Sequence, residues 1–172
     1  MTLAERLDAA GVEQVRIAWA DLHGSWRGKT LVWPGPALDA ALQDGIGMVS
    51  TVLLKDASDR TAFNVFEPGA LAAMPGFGSA NNLLLRPDPH SLLMLPWAPG
   101  TAWLRAEPWW ADGGAVAVCP RRVLQHALAE LAREGYGLRC GLEVEFHLHR
   151  IVDDSLAPEG MGWPAEPPRV RH

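Results

Sequence analysis

Apolar and polar positions follow two periods along this chain, and the places where the period changes mark its elements. The opening stretch MTLAERLDAAG reads as an amphipathic helix over residues 2–10, stopped by Gly11. Val15, Ile17 and Trp19 then alternate with polar or small neighbours, the period of a half-buried strand. Asp21-Leu22-His23-Gly24 supplies turn chemistry and Trp26 to Trp33 returns, which predicts a hairpin. Pro34-Gly35-Pro36 ends it, and ALDAALQDGIG follows as a short helix with Gly45 as its cap.

The middle of the chain is less regular. Met48 to Leu54 reads as a strand, Lys55 to Arg60 as a charged loop, and Phe63 to Met74 as a stretch with a turn near Pro68-Gly69. NNLLLRPDP predicts a brief strand, SLLMLPW another, and TAWLRAEPWW a third after the Pro99-Gly100 turn. Several short strands around one or two helices, without a βαβ repeat, make the fold class α+β. Composition breaks at Asp112-Gly113-Gly114, and Pro120 opens the helix PRRVLQHALAELAREGYG. Val123, Leu124, Ala127, Leu128 and Leu131 form its apolar face, and Gly135 and Gly137 end it. Leu138 to Arg150 is predicted as a strand. From Ile151 onward the chain is rich in Pro, Gly and acid and is expected to be a flexible tail. The expected organisation is therefore a first domain over residues 1–111, the start of a second over 112–150, and a tail over 151–172.

Composition narrows the function classes. At 172 residues and 48% apolar, there is material for a real core. The net charge of −5 and the scattered basic residues exclude the basic stripe of a nucleic-acid surface. Arg121-Arg122 is the longest basic cluster and reads as a solvated helix start. No secretory h-region and no membrane-length apolar run are visible, so a cytoplasmic protein without a membrane partner is expected. Cys119 and Cys140 lack the spacing of a metal or disulfide framework and read as reduced thiols. Eight tryptophans admit a stacking surface for sugars or nucleobases, but core and subunit-interface packing fits better because Trp is costly to leave in water.

The chemistry concentrates in Gly141-Leu142-Glu143-Val144-Glu145-Phe146-His147-Leu148-His149. On a strand, Leu142, Val144, Phe146 and Leu148 would face a core, and Glu143, Glu145, His147 and His149 the other side. Carboxylates two residues apart stand about 6.5–7 Å apart at the backbone, a spacing suited to neighbouring hard cations such as Mg²⁺ or Mn²⁺. A strand with one wet face alternates in the same way, so periodicity alone leaves both readings open. His147 and His149 are read as lying on the solvated face beyond any metal.

These residues resemble a known family, the glutamine synthetases. DGGAVAVCPRRVL, the helix with its GYG end and G-x-E-x-E-F look like the opening of that family's catalytic domain. RPDPHSLLMLPWAPGTAWLRAE and the hairpin VRIAWADLHGSWRGKTL resemble its amino-terminal β-grasp domain, and PDP, PW and PGTA look most like the γ-glutamyl-polyamine synthetase branch. The resemblance implies a β-grasp-like first domain followed by the first helix and strand of a truncated catalytic domain. It implies a ligase in which ATP phosphorylates the side-chain carboxylate of glutamate and ammonia or an amine then displaces the phosphate. Mg²⁺ or Mn²⁺ would bridge ATP and glutamate, with Glu143 and Glu145 as metal ligands. Subunits of the family form rings, so a homo-oligomer is implied for the full-length protein.

Two departures qualify this. The position of the aspartate that binds ammonium in ammonia-using members falls at or near Asn82, which cannot serve as a base. The remaining metal ligands, glutamate-binding arginines and nucleotide site would all follow residue 172. Two carboxylates supply too few of the ~6 oxygens each ion needs, so this chain alone is expected to be inactive. Two other readings stand beside the ligase: a non-catalytic interaction module that binds full-length subunits, and an α+β domain whose E-x-E is only surface. An unpaired strand with an exposed apolar face is also expected to promote association.

Overall fold

The structure, a computed structural model, describes residues 1–64, 67, 69, 71, 74, 76–77, 81–152 and 170–171. The expected turn at Pro68-Gly69 lies half outside this set, with Gly69 described and Pro68 not, and most of the expected tail lies beyond it. Contacts divide the chain into two units, Met1–Gly137 and Leu138–His172.

The first unit is built on a mixed sheet. Helix α1 (Leu3–Ala9) starts on a capping box. The Thr2 hydroxyl accepts the Glu5 N–H at 3.2 Å, and the Glu5 carboxylate accepts the Thr2 N–H at 2.8 Å. Strands β1 (Gln14–Ala20) and β2 (Trp26–Val32) pair antiparallel, from Gln14 opposite Val32 to Ala20 opposite Trp26. Helix α2 (Pro36–Asp44) ends at Gly45, whose φ of 81° is open to glycine at little cost. Strands β3 (Ile46–Val49), β4 (Asn82–Pro87), β5 (Leu93–Met94) and β6 (Thr101–Trp110) complete six strands in the order β2-β1-β6-β4-β3, with β5 also on β6. Only β1 and β6 run parallel. These two central strands carry the most regular apolar alternation, and Val15, Ile17 and Leu104 are fully buried. Leu7 of α1 and Leu38 and Ala41 of α2 close the core on that face. The expected α+β, β-grasp-like class is what forms.

The expected strand at Met48–Leu54 is different. β3 begins earlier and stops at Val49, where its ladder reaches Asn82, the first residue of β4. Ser50–Leu54 then tightens into a 3₁₀ helix that turns Leu53 and Leu54 into the core. Pairing length, not local propensity, set this boundary.

Helix α3 (Pro120–Arg133) forms where expected, and its first turn is anchored. Glu107 of β6 accepts Arg121 at 3.0 Å and Arg122 at 3.5 Å, and the Arg122 guanidinium lies 3.8 Å above the Trp109 ring. None of its residues is buried, and Val123 and Leu124 are 55% and 53% exposed.

In the second unit, the expected strand over Leu138–Arg150 does not form. Leu138–His149 is not a strand, and among the described residues of this unit Arg150–Ile151 (β7) forms a ladder with Val170–Arg171 (β8). Leu142, Val144, Phe146 and Leu148, expected to face a core, are exposed. A strand is defined by its ladder, and no ladder forms on Leu138–Phe146 among the described residues.

Candidate functional site

The two glutamates singled out from sequence lie in this segment, outside any strand. Both Glu143 and Glu145 are exposed, and neither has a hydrogen bond or ion pair among the described residues. The His147 and His149 rings lie with centroids 6.1 Å apart. A shallow hollow of about 530 Å³ lined by Leu148, His149, Arg150 and Arg171 sits beside them and includes neither glutamate.

The carboxylates are the right donors for a hard divalent ion, but they are too few. Among the described residues no three His, Cys, Asp or Glu side chains come close enough to hold a metal. An ion at Glu143 or Glu145 would have to take its other oxygens from water, substrate or further polypeptide. In donor chemistry the site fits a divalent ion, and in donor number it is incomplete.

Asn82 belongs to the first unit, at the exposed end of β4 opposite Val49. Its backbone N–H donates to the Asn81 side-chain carbonyl at 3.0 Å. A neutral amide at this place carries no charge and takes no proton.

The sequence reading missed an ion-pair cluster at the hairpin turn. Asp21, 2% exposed, accepts the backbone N–H groups of His23 and Ser25, each at 2.9 Å, and Arg27 Nε–H at 2.8 Å. Arg27 also donates to Asp59, which Lys55 holds at 2.9 Å. The charged loop Lys55–Arg60 is thereby clamped to the β1–β2 turn. Burial pushes the Asp21 carboxyl up, but the hydrogen bonds from Arg27, His23 and Ser25 and the Arg27 charge outweigh it, so its pKa lies below the ordinary 3.8. The Lys55 and Arg27 hydrogen bonds likewise lower Asp59, and the hydrogen bonds from Asp59 and Asp21 raise Arg27. Asp59 has φ 61°, a left-handed conformation that Asp tolerates. The signal available in sequence was D-L-H-G-S itself, an aspartate placed to accept N–H groups two and four residues on.

The tryptophans divide between core and surface. Trp19 and Trp110 are buried, whereas Trp26 and Trp97 are 58% and 76% exposed. Trp26 meets Trp103 edge-on at 4.8 Å, beside an open groove of about 540 Å³ that also carries Arg16, Arg27 and Lys29.

Comparison with known proteins fits this picture. No protein-family profile matches the chain. It is 36% identical over 169 residues, 96% of its length, to a γ-glutamylanilide synthase of Acinetobacter, of which it covers 33%. It is 34% identical over 146 residues, 84% of its length, to a γ-glutamylethanolamide synthetase of Streptomyces coelicolor, of which it covers 30%. Among solved structures, a GmaS/ADP complex aligns over 78% of this chain and 26% of its own, with 27% identity and a TM-score of 0.55. A glutamine synthase homologue aligns over 72% of this chain and 27% of its own, with 26% identity and a TM-score of 0.54. The chain thus spans about a third of the length of the curated relatives it matches. No helix among the described residues is long and apolar enough to cross a membrane. Its mixed sheet matches the amino-terminal domain of glutamine-synthetase-like proteins, and together with the sequence identity this makes the chain a member of the glutamine synthetase family.

Proposed function

We propose that this chain is the amino-terminal portion of an ATP-dependent ligase that joins an amine to the side-chain carboxylate of glutamate, and that it is inactive by itself. What carries the reading is likeness along nearly its whole length to synthetases named for γ-glutamylanilide and γ-glutamylethanolamide, together with Glu143 and Glu145 in the family's E-x-E-F position. In this reading residues 1–111 are the β-grasp domain and 112–150 begin the catalytic domain.

The division of labour follows from the residues. Glu143 and Glu145 would lend oxygens to a divalent ion, with its remaining donors from ATP, glutamate, water and further polypeptide. When bound, such an ion would supply charge neutralisation for phosphoryl transfer. The uncharged Asn82 leaves no carboxylate to hold ammonium or take its proton, which favours an amine as nitrogen donor. The two free thiols, Cys119 and Cys140, fit a reducing cytoplasm.

Calorimetric titration with Mn²⁺ tests the metal assignment. Weak binding is expected for the chain and none for the Glu143→Ala/Glu145→Ala double variant. Identical isotherms would reduce the E-x-E to plain surface. Incubated with ATP, glutamate and an amine, the chain alone is expected to release no phosphate, and turnover in a clean preparation would show that the site is complete.

A further inference from the structure

β1 ends at Ala20 while β6 runs on to Trp110, and the start of α3 comes in beside the gap. The space left is a cavity of about 80 Å³ bounded by Trp19 at the end of β1, Arg105 on β6, and Cys119 and Arg121 at the start of α3, with Trp26, two alanines and Pro108 as the other walls. All of these residues belong to the first unit.

The cavity is lined by donors that lack acceptors. Trp19 is 4% exposed, and its indole Nε1–H, shut away from solvent, has no hydrogen-bond partner among the described residues. Arg105 Nε–H is equally enclosed and equally unpartnered, since the guanidinium reaches Asp88 through another nitrogen, at 2.7 Å. Leaving such a donor buried and unpaired costs about 1–3 kcal/mol, so two of them on one cavity point to something that fills it. The helix adds donors of its own. Cys119 is the N-cap of α3, and its side chain accepts no cap hydrogen bond. Pro120 has no N–H, and Val123 N–H donates to the Cys119 carbonyl at 3.0 Å. The N–H groups of Arg121 and Arg122 between them meet no acceptor among the described residues. The positive end of the helix macrodipole falls there too. Arg121 gives its Nε–H to Glu107 at 3.0 Å and, as a lining residue, brings its charge to the cavity.

We infer that this cavity binds a small monovalent anion of halide size, which ties the first turn of α3 to the sheet. Size and charge select the ligand. The volume is far below the about 300 Å³ at which pockets for larger organic ligands begin. No lining residue has a side-chain carboxylate, amide or hydroxyl, so no side-chain oxygen there repels an anion or accepts a proton from water. A water molecule would satisfy two donors but bring two O–H groups that need acceptors of their own. Asp88 and Glu107 already offset the charges of Arg105 and Arg121, so a single negative charge matches the site better than the two of sulfate. Glu143 and Glu145 play no part here, so the site is independent of the metal assignment.

Titrating chloride against gluconate at constant ionic strength tests the site, with the 172-residue protein and the Trp19 indole N–H resonance as reporter. Trp19→Phe identifies that resonance by its loss. A saturable shift is expected as chloride replaces gluconate, which is too large to enter. Arg121→Gln is expected to weaken chloride binding by about threefold or more. Cys119→Asp places a tethered carboxylate at the N-cap and is expected to remove the chloride response altogether. A Trp19 resonance that does not shift, or that shifts without saturating, would mean a water-filled cavity and overturn the inference. An unchanged chloride response in Arg121→Gln or in Cys119→Asp would overturn it as well.

Discussion

Two segments of this chain carry nearly the same code and meet different fates. Val15, Ile17 and Trp19 alternate with polar or small residues, and so do Leu142, Val144, Phe146 and Leu148. The first set lies in β1, between β2 and β6, and is buried. The second lies in no strand and is exposed. Both have the period of a half-buried strand, so periodicity states what a segment is able to do once another segment offers a ladder and a core. β1 finds both within the first 137 residues, whereas 141–146 finds neither among the described ones.

The largest expected effect breaks the comparison directly. Leu104→Ala empties a fully buried site on β6 and is expected to lower stability by about 2–5 kcal/mol in a denaturant titration. Phe146→Ala removes more side chain from an exposed site and is expected to change the same transition by no more than about 0.5 kcal/mol. A comparable loss from both would mean that the second unit has a packed core after all.

The Asp21 clamp is the next test. Asp21→Ala leaves two backbone N–H groups and the Arg27 Nε–H without their acceptor and is expected to cost about 1–3 kcal/mol. Because the folded-state pKa lies below 3.8, the clamp is fully present above that value and is lost as pH falls through the lowered one. The wild type should therefore lose stability below about pH 3.8 more steeply than Asp21→Asn does. Parallel acid limbs for the two proteins would remove the clamp from the account.

The smallest expected difference sharpens the contrast without altering the protein. Amides of β1 and β6 should exchange slowly with solvent and those of residues 141–146 with almost no protection. Strong protection across 141–146 would show that this stretch does find a ladder.

Much of the first unit was legible in the sequence, for stated reasons. The hairpin was marked by its alternation and turn residues, α2 by Gly45, α3 by Pro120, and β6 by a run whose bounds matched the strand that formed. The 3₁₀ helix at Ser50–Leu54 was not legible, because β3 stops where the register against β4 ends, and no local residue encodes that register. The link from Arg27 to Asp59 spans 32 residues and was invisible for the same reason.

By itself the sequence determined the local periods, the caps, the acid–apolar alternation around Glu143 and Glu145, and the family likeness they carry. These depend on neighbours a few residues apart, whose geometry the backbone dictates. Tertiary structure alone decided which alternating segment became a strand and which aspartate was buried. Each of those outcomes depends on whether distant chain arrives to satisfy hydrogen bonds and exclude water.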